Sequence, residues 1–181
     1  PLDLILEDTL RVDNFDGKTP EGIHDFYWVQ DTYFRQAYAI IPEGHRVKVV
    51  KDAGKLLKIQ FLPPKSDSPK ITFKPGEGHE LVRRIFTGAD LLAIKSEILK
   101  VEKKPGVNVT YELVDTDNQP VSDATIKINQ DGKPYGTGMT SADGKLSVFK
   151  PEGNYELSVS AAGRGPDHTT TSRRLKAKRS A

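Results

Sequence analysis

Between Val107 and Gly163 the chain alternates apolar and polar residues in four runs: Val107/Val109/Tyr111/Leu113, Ala124/Ile126/Ile128, Leu146/Val148 and Tyr155/Leu157/Val159/Ala161. Successive side chains of an extended strand point to opposite faces, so this period places one set in a core and the other in water. Turn residues separate the runs, at Asp117-Asn118, Asp131-Gly132, Asp143-Gly144 and Glu152-Gly153. Asp-Gly pairs accept the left-handed backbone that tight hairpins require. Short strands at this spacing, with no helical period between them, predict a small antiparallel sandwich in which Tyr155 faces the core.

The same stretch resembles a known module. Leu113-Val114-Asp115, Gln119-Pro120-Val121 and Asp123-Ala124-Thr125-Ile126 look like the opening of a prealbumin-like domain, the carboxypeptidase-regulatory-like or Cna-B-like group. Thr140-Ser141-Ala142-Asp143-Gly144-Lys145-Leu146 and Glu152-Gly153-Asn154-Tyr155-Glu156-Leu157 resemble its two later motifs. The resemblance implies an Ig-like β-sandwich over about a third of the chain. It implies a spacer, stalk or docking role more than a catalytic one. Cna-B modules often carry a Lys–Asn isopeptide bond. The first strand here has Tyr111-Glu112-Leu113 where its Lys is expected, so no such bond is expected.

Residues 39–61 hold strand, Pro42-Glu43-Gly44 turn, strand, Asp52-Ala53-Gly54 turn and strand. Val47/Val49 and Leu57/Ile59/Phe61 alternate with Lys, Arg and Gln, which predicts a meander with one wet face. This stretch resembles bacterial SH3-like repeats, with Leu10-Arg11-Val12 as the incoming strand. On that reading residues 13–37 are a long aromatic insert in place of a short loop. Ligand binding to cell-wall peptide is what the resemblance implies, and the insert alters the loop that would do it.

The insert carries Phe26, Tyr27, Trp28, Tyr33, Phe34 and Tyr38, six aromatics in thirteen residues. Aromatics at this density pack a core or form a platform for sugar, peptide or a partner protein. Packing is favoured, with Trp28 the ring expected to face solvent. Further strands are expected at Ile5–Val12, Lys70–Phe73 and Leu81–Phe86. Thr87 to Leu99 is the single helix candidate, capped by Thr87, with a strand pair as the alternative. The charged stretch ending in Pro105-Gly106 reads as a domain boundary.

Fold class is therefore mainly β with at most one short helix. An SH3-like or other small β-barrel spans residues 1–104, a prealbumin-like (Ig-like) β-sandwich residues 105–163, and a basic tail residues 164–181. The chain has 181 residues, enough for two small domains. No apolar run is long enough to span a membrane. Without cysteine, disulfides, thiolate metal sites and a Cys nucleophile are excluded. Pro1 is what remains when an initiator Met is removed, or else the start of a trimmed fragment.

Formal charge is +2 overall. Gly163 to Ala181 carries six basic residues against Asp167, a net +5, leaving the other 162 residues near −3. A basic tail on an acidic body is an asymmetry with a use. Either Thr169 to Leu175 pairs as a last strand on the sandwich with Lys176–Ala181 dangling, or Arg173, Arg174, Lys176 and Arg179 dock on an acidic surface, a protein neighbour being preferred. Nucleic acid is disfavoured, because the tail has no aromatics to stack on bases.

No residue set declares a reaction. The histidines, His24, His45, His79 and His168, show no zinc spacing. The loop around Gly17 fails the EF-hand pattern, with Val12 and Ile23 at ligand positions. No phosphate loop, dinucleotide fingerprint or nucleophile elbow occurs. Catalytic, cofactor and metal residues are accordingly assigned to none.

The leading reading is a non-enzymatic structural or docking protein of a large assembly, such as a phage particle or phage-like injection machine, reached after cytoplasmic synthesis. Its partners are protein subunits, in an oligomer. Phe26, Tyr27, Trp28, Tyr33, Phe34, Arg173, Arg174, Lys176 and Arg179 are the candidate contacts. The alternative is an extracellular or periplasmic module that binds cell-wall peptide or carbohydrate.

Overall fold

The computed structural model describes residues 2–51, Gly54 and 56–161, and the backbone of Arg174–Ser180. It is mainly β, with one short helix. The chain divides into two compact units, Pro1–Gly88 and Ala89–Ala181.

The first unit holds β1 (Leu2–Ile5), β2 (Glu7–Arg11), β3 (Gly17–Lys18), β4 (Gly22–His24), β5 (Tyr27–Asp31), β6 (Gln36–Pro42), β7 (Arg46–Lys51), β8 (Leu56–Leu62), β9 (Lys70–Phe73) and β10 (Arg83–Gly88). Two four-stranded sheets run in the orders β10-β6-β5-β3 and β2-β8-β7-β4, and β1 pairs with β9. All pairings are antiparallel. Both larger sheets contribute to one core, with Tyr27 and Val29 from the first and Val47, Val49, Leu57, Ile59 and Phe61 from the second. One polar cluster links them. Tyr27 Oη donates to Asp8 Oδ2 at 3.1 Å, and Arg83 pairs with the same oxygen at 2.6 Å while lying over the Phe61 ring. Burial, and then the Asp8 charge, pushes the Tyr27 hydroxyl well above its ordinary pKa.

Two sequence expectations are corrected here. The run from Ala39 to Phe61 is not a single meander. β6 pairs with β5 and β10, whereas β7 pairs with β8 and β4, so the Pro42-Glu43-Gly44 turn carries the chain between sheets. Residues 13–37 are not a loop insert either, since β3, β4, β5 and the start of β6 lie within them. Of the Asp52-Ala53-Gly54 turn, only Gly54 is among the described residues.

The second unit holds α1 (Leu91–Val101), β11 (Val107–Val114), β12 (Ala124–Gln130), β13 (Lys133–Met139), β14 (Lys145–Lys150), β15 (Tyr155–Ala161) and β16 (Arg174–Ser180). Two three-stranded sheets run in the orders β14-β11-β16 and β13-β12-β15. Their shared core is Val109, Tyr111, Ile126, Ile128, Leu146 and Val148, together with Leu92 of the helix. The strand residues are the inward set that period-two alternation picks out. Asp131 and Gly132, at φ 50° and 73°, make the tight β12–β13 hairpin. Tyr155 is only half-buried, because β15 is an edge strand, and its hydroxyl donates to Pro151 O at 2.9 Å.

The helix begins later than its apolar pattern suggests. Thr87 lies in β10, and the cap is Asp90, whose Oδ1 accepts from Ala93 N–H at 2.8 Å. α1 packs on β13 and β14, the edge strands of the two sheets. Ser96 Oγ donates to Leu92 O at 2.7 Å and accepts from the Phe149 N–H of β14 at 3.0 Å. Lys95 Nζ donates to the Tyr135 carbonyl of β13. The helix therefore supplies hydrogen bonds to edge backbone that otherwise invites pairing with another chain.

Close approach of helix and sheet depends on two glycines of β13. A Cβ on Gly136 would come within 2.5 Å of Leu92 Cδ2, and one on Gly138 within 2.9 Å of Asp90 Oδ2. This packing places α1 in the second unit, so the division falls after Gly88 and not at Pro105-Gly106. Part of the tail pairs on the sandwich, the simpler of the two expectations for it. Its strand is β16, paired antiparallel with β11 from Asn108↔Ser180 to Val114↔Arg174. Residues 162–173 lie outside the described residues.

Two outcomes follow for stability. Gly136→Val should destabilise the second unit by about 1–3 kcal/mol, the usual cost of overpacking, in urea unfolding. A fragment beginning at Gly106 lacks the fully buried Leu92 and should be at least about 2 kcal/mol less stable than one beginning at Ala89. Equal unfolding midpoints for the two fragments would refute the clasp role of α1.

Candidate functional site

The β5–β6 hairpin presents the largest solvent-facing aromatic surface among the described residues. Tyr33 is 87% exposed and Phe34 66% exposed. Their rings meet edge to face, with centroids 4.9 Å apart and planes at 89°. The local sequence dictates this turn. Asp31 Oδ1 accepts from Phe34 N–H at 3.0 Å, and Arg35 closes the turn at φ 52° with its N–H on Thr32 O at 3.3 Å. From outside the hairpin, Asp16 Oδ1 accepts from Thr32 N–H at 3.1 Å and Asp16 N–H donates to Gln30 O at 3.1 Å. Two aspartates thus hold a turn whose tip carries two apolar rings in water.

The other aromatic candidates fall elsewhere. Tyr27, 5% exposed, belongs to the core and is no surface contact. Phe26 is half-buried. Trp28, expected to face solvent, is also half-buried. Its ring lies over Gly17, where a Cβ would sit 3.1 Å from Trp28 Cζ3, so the missing side chain makes room for the indole. Tyr38 is exposed on β6. The structure therefore separates the cluster: Tyr27 is core, Phe26 and Trp28 are half-buried, and Tyr33, Phe34 and Tyr38 face water.

Of the basic candidates, Arg173 lies outside the described residues. Arg174, Lys176 and Arg179 occupy β16 at register positions opposite Val114, Glu112 and Val109. They form part of a sheet edge of the second unit, whereas Tyr33 and Phe34 belong to the first.

A cleft of about 330 Å³ opens in the first unit, with an apolar floor of Val12, Leu56 and Leu57 and a rim of Lys18, Glu21 and Lys51. The Thr19 hydroxyl on its wall is committed to backbone, accepting from Trp28 N–H at 2.7 Å and donating to Trp28 O at 3.2 Å. Among the described residues no group of three or more His, Cys, Asp or Glu is placed to hold a metal ion. No helix among them is long and apolar enough to cross a membrane.

Two arrangements escaped the sequence reading. His45 and His79, 34 residues apart, meet ring to ring. In the second unit Lys95 stands 4.4 Å over the Tyr135 ring, Tyr135 meets Tyr155 at 5.5 Å, and Lys150 stands 3.2 Å over Tyr155. Burial lowers Lys95 to about 8. Burial, then the neighbouring Tyr155, raises Tyr135. Strand register and helix packing, invisible in one sequence, bring these groups together.

Comparison with protein-family models, with curated proteins and with solved structures gives no match.

The Lys95 environment predicts a pH dependence. Its folded pKa is about 8 against an ordinary 10.5, so between those values the unfolded chain binds more protons and stability rises with pH. Below about 8 the contribution is constant. In Lys95→Met that rise should vanish, so the wild type gains on the variant from pH 8 to pH 10 in denaturant titrations. Parallel curves would show that the ammonium is solvated.

Proposed function

We propose that this protein is a non-enzymatic structural or docking subunit of a large assembly, such as a phage particle or phage-like injection machine. Its β5–β6 tip engages a protein neighbour. The observation that carries this reading is the pair Tyr33 and Phe34, set in water on a turn held by Asp16 and Asp31. Aromatic rings of this kind anchor interfaces, where a few buried rings dominate the binding energy. A turn already ordered loses little conformational entropy on docking, so more of the burial appears as affinity. The sequence resemblances to prealbumin-like and SH3-like modules support a spacer or docking role. The basic residues Arg174, Lys176 and Arg179 on the edge strand β16 add a charge complementary to an acidic neighbour.

The same rings suit a second reading, stacking on a sugar or cell-wall peptide in an extracellular or periplasmic module. Tyr33 at 87% exposure offers a ring face for that purpose.

The test is the double variant Tyr33→Ser/Phe34→Ser, both sites being exposed, so melting should be unchanged. In source cells the wild-type chain should co-sediment with a particle far larger than 20.1 kDa, and the variant should remain at low mass. Wild type that sediments only as a small species would sink the assembly reading. Retention of that small species on purified peptidoglycan, lost in the variant, would select the cell-wall reading.

A further inference from the structure

The turn between β6 and β7 and the segment between β9 and β10 face each other through two histidines. His45 Nε2 and His79 Nε2 are 3.1 Å apart, with the rings nearly perpendicular at 88°. His45 Nδ1 lies 2.8 Å from Glu43 O. A carbonyl only accepts, so Nδ1 carries the proton and Nε2 directs its lone pair at His79. The supports on both sides are fixed. Gly44, at φ 68°, and the His45 N–H on Pro42 O at 3.3 Å define the turn. Glu43 N–H donates to Val82 O at 2.8 Å, and the Glu43 carboxylate pairs with Arg84. His79 is braced edge-on by Phe73, with centroids 6.1 Å apart.

We propose that His45 and His79 form a two-histidine site for a divalent transition-metal ion, with water in the remaining positions. Two imidazole nitrogens at about 2.0–2.1 Å from one ion stand roughly 2.9 Å apart in the square-planar geometry of copper and roughly 3.3 Å apart in tetrahedral geometry. The observed 3.1 Å lies between the two, so binding needs the two rings to turn until both lone pairs face the ion, with little change in separation. A backbone carbonyl holding the opposite ring N–H is the usual outer support of a ligating histidine, and Glu43 O supplies it. His79, which donates through Nε2 to His45, binds by carrying its proton on Nδ1 instead. This tautomer change leaves net charge unaltered. Imidazole pairs select copper first among divalent ions, with nickel and zinc weaker. The site lies within the first unit, away from the hairpin tip, and does not depend on the docking role.

The test is Cu2+ titration of the full chain by calorimetry in a weakly coordinating buffer, with electron paramagnetic resonance. One equivalent is expected, with a spectrum of two nitrogen ligands. His45→Ala and His79→Ala should each abolish it, and His24→Ala/His168→Ala should leave it intact. In the unmutated protein, Cu2+ should broaden the ring resonances of His45 and His79 first, which keeps the test valid if a variant misfolds. Absence of binding, binding that survives loss of both His45 and His79, or first broadening at another histidine would overturn the proposal.

Discussion

The approach of Leu92 to the bare backbone of Gly136 and Gly138 is the constraint on which the C-terminal unit depends. Two three-stranded sheets leave four edges, and the helix can reach β13 only because two side chains are missing there. Once seated, it places Ser96 Oγ on the Phe149 N–H and the Lys95 ammonium on the Tyr135 carbonyl, one bond for each sheet. Leu92 also joins the core that both sheets share. The helix thus joins the core while covering two edges, and its place in the second unit follows from that packing.

Period-two alternation made most of the C-terminal strands legible, because each has one wet face. It failed where that condition fails. Val29 packs into the core while Gln30, on the other face, is also buried, so β5 shows no alternation and reads as part of an aromatic insert. β13 has Pro134 and two glycines, which argue against a strand. It is one because it lies at an edge, where proline is tolerated, and beneath a helix, where glycine is needed. β6 and β7 each alternate correctly, but alternation does not say which sheet a strand joins. The cap moved from Thr87 to Asp90 because Thr87 is held in β10 opposite Tyr38.

The candidate site was legible in composition and not in geometry. Six aromatics in a row of thirteen residues mark the region, yet only the turn between β5 and β6 decides which of them face water. Asp16 and Asp31 give no signal in isolation, since acidic residues in a loop are ordinarily solvated. The histidine pair is less visible still, with its members on segments joined by β7, β8 and β9. Spacing rules for metal sites assume ligands close in sequence, and here the sheet crossover at Pro42–His45 replaces that proximity.

The pairing of β11 with β16 has a consequence for synthesis. Residue Asn108 finds its partner in Ser180, so one side of the central strand of that sheet stays without backbone partners while more than sixty residues emerge. Nascent chains meet their neighbours N-terminal portion first, and an open strand edge is then a template for a second nascent chain. Non-local closure of this kind is slow, because loop entropy is lost before the ladder forms.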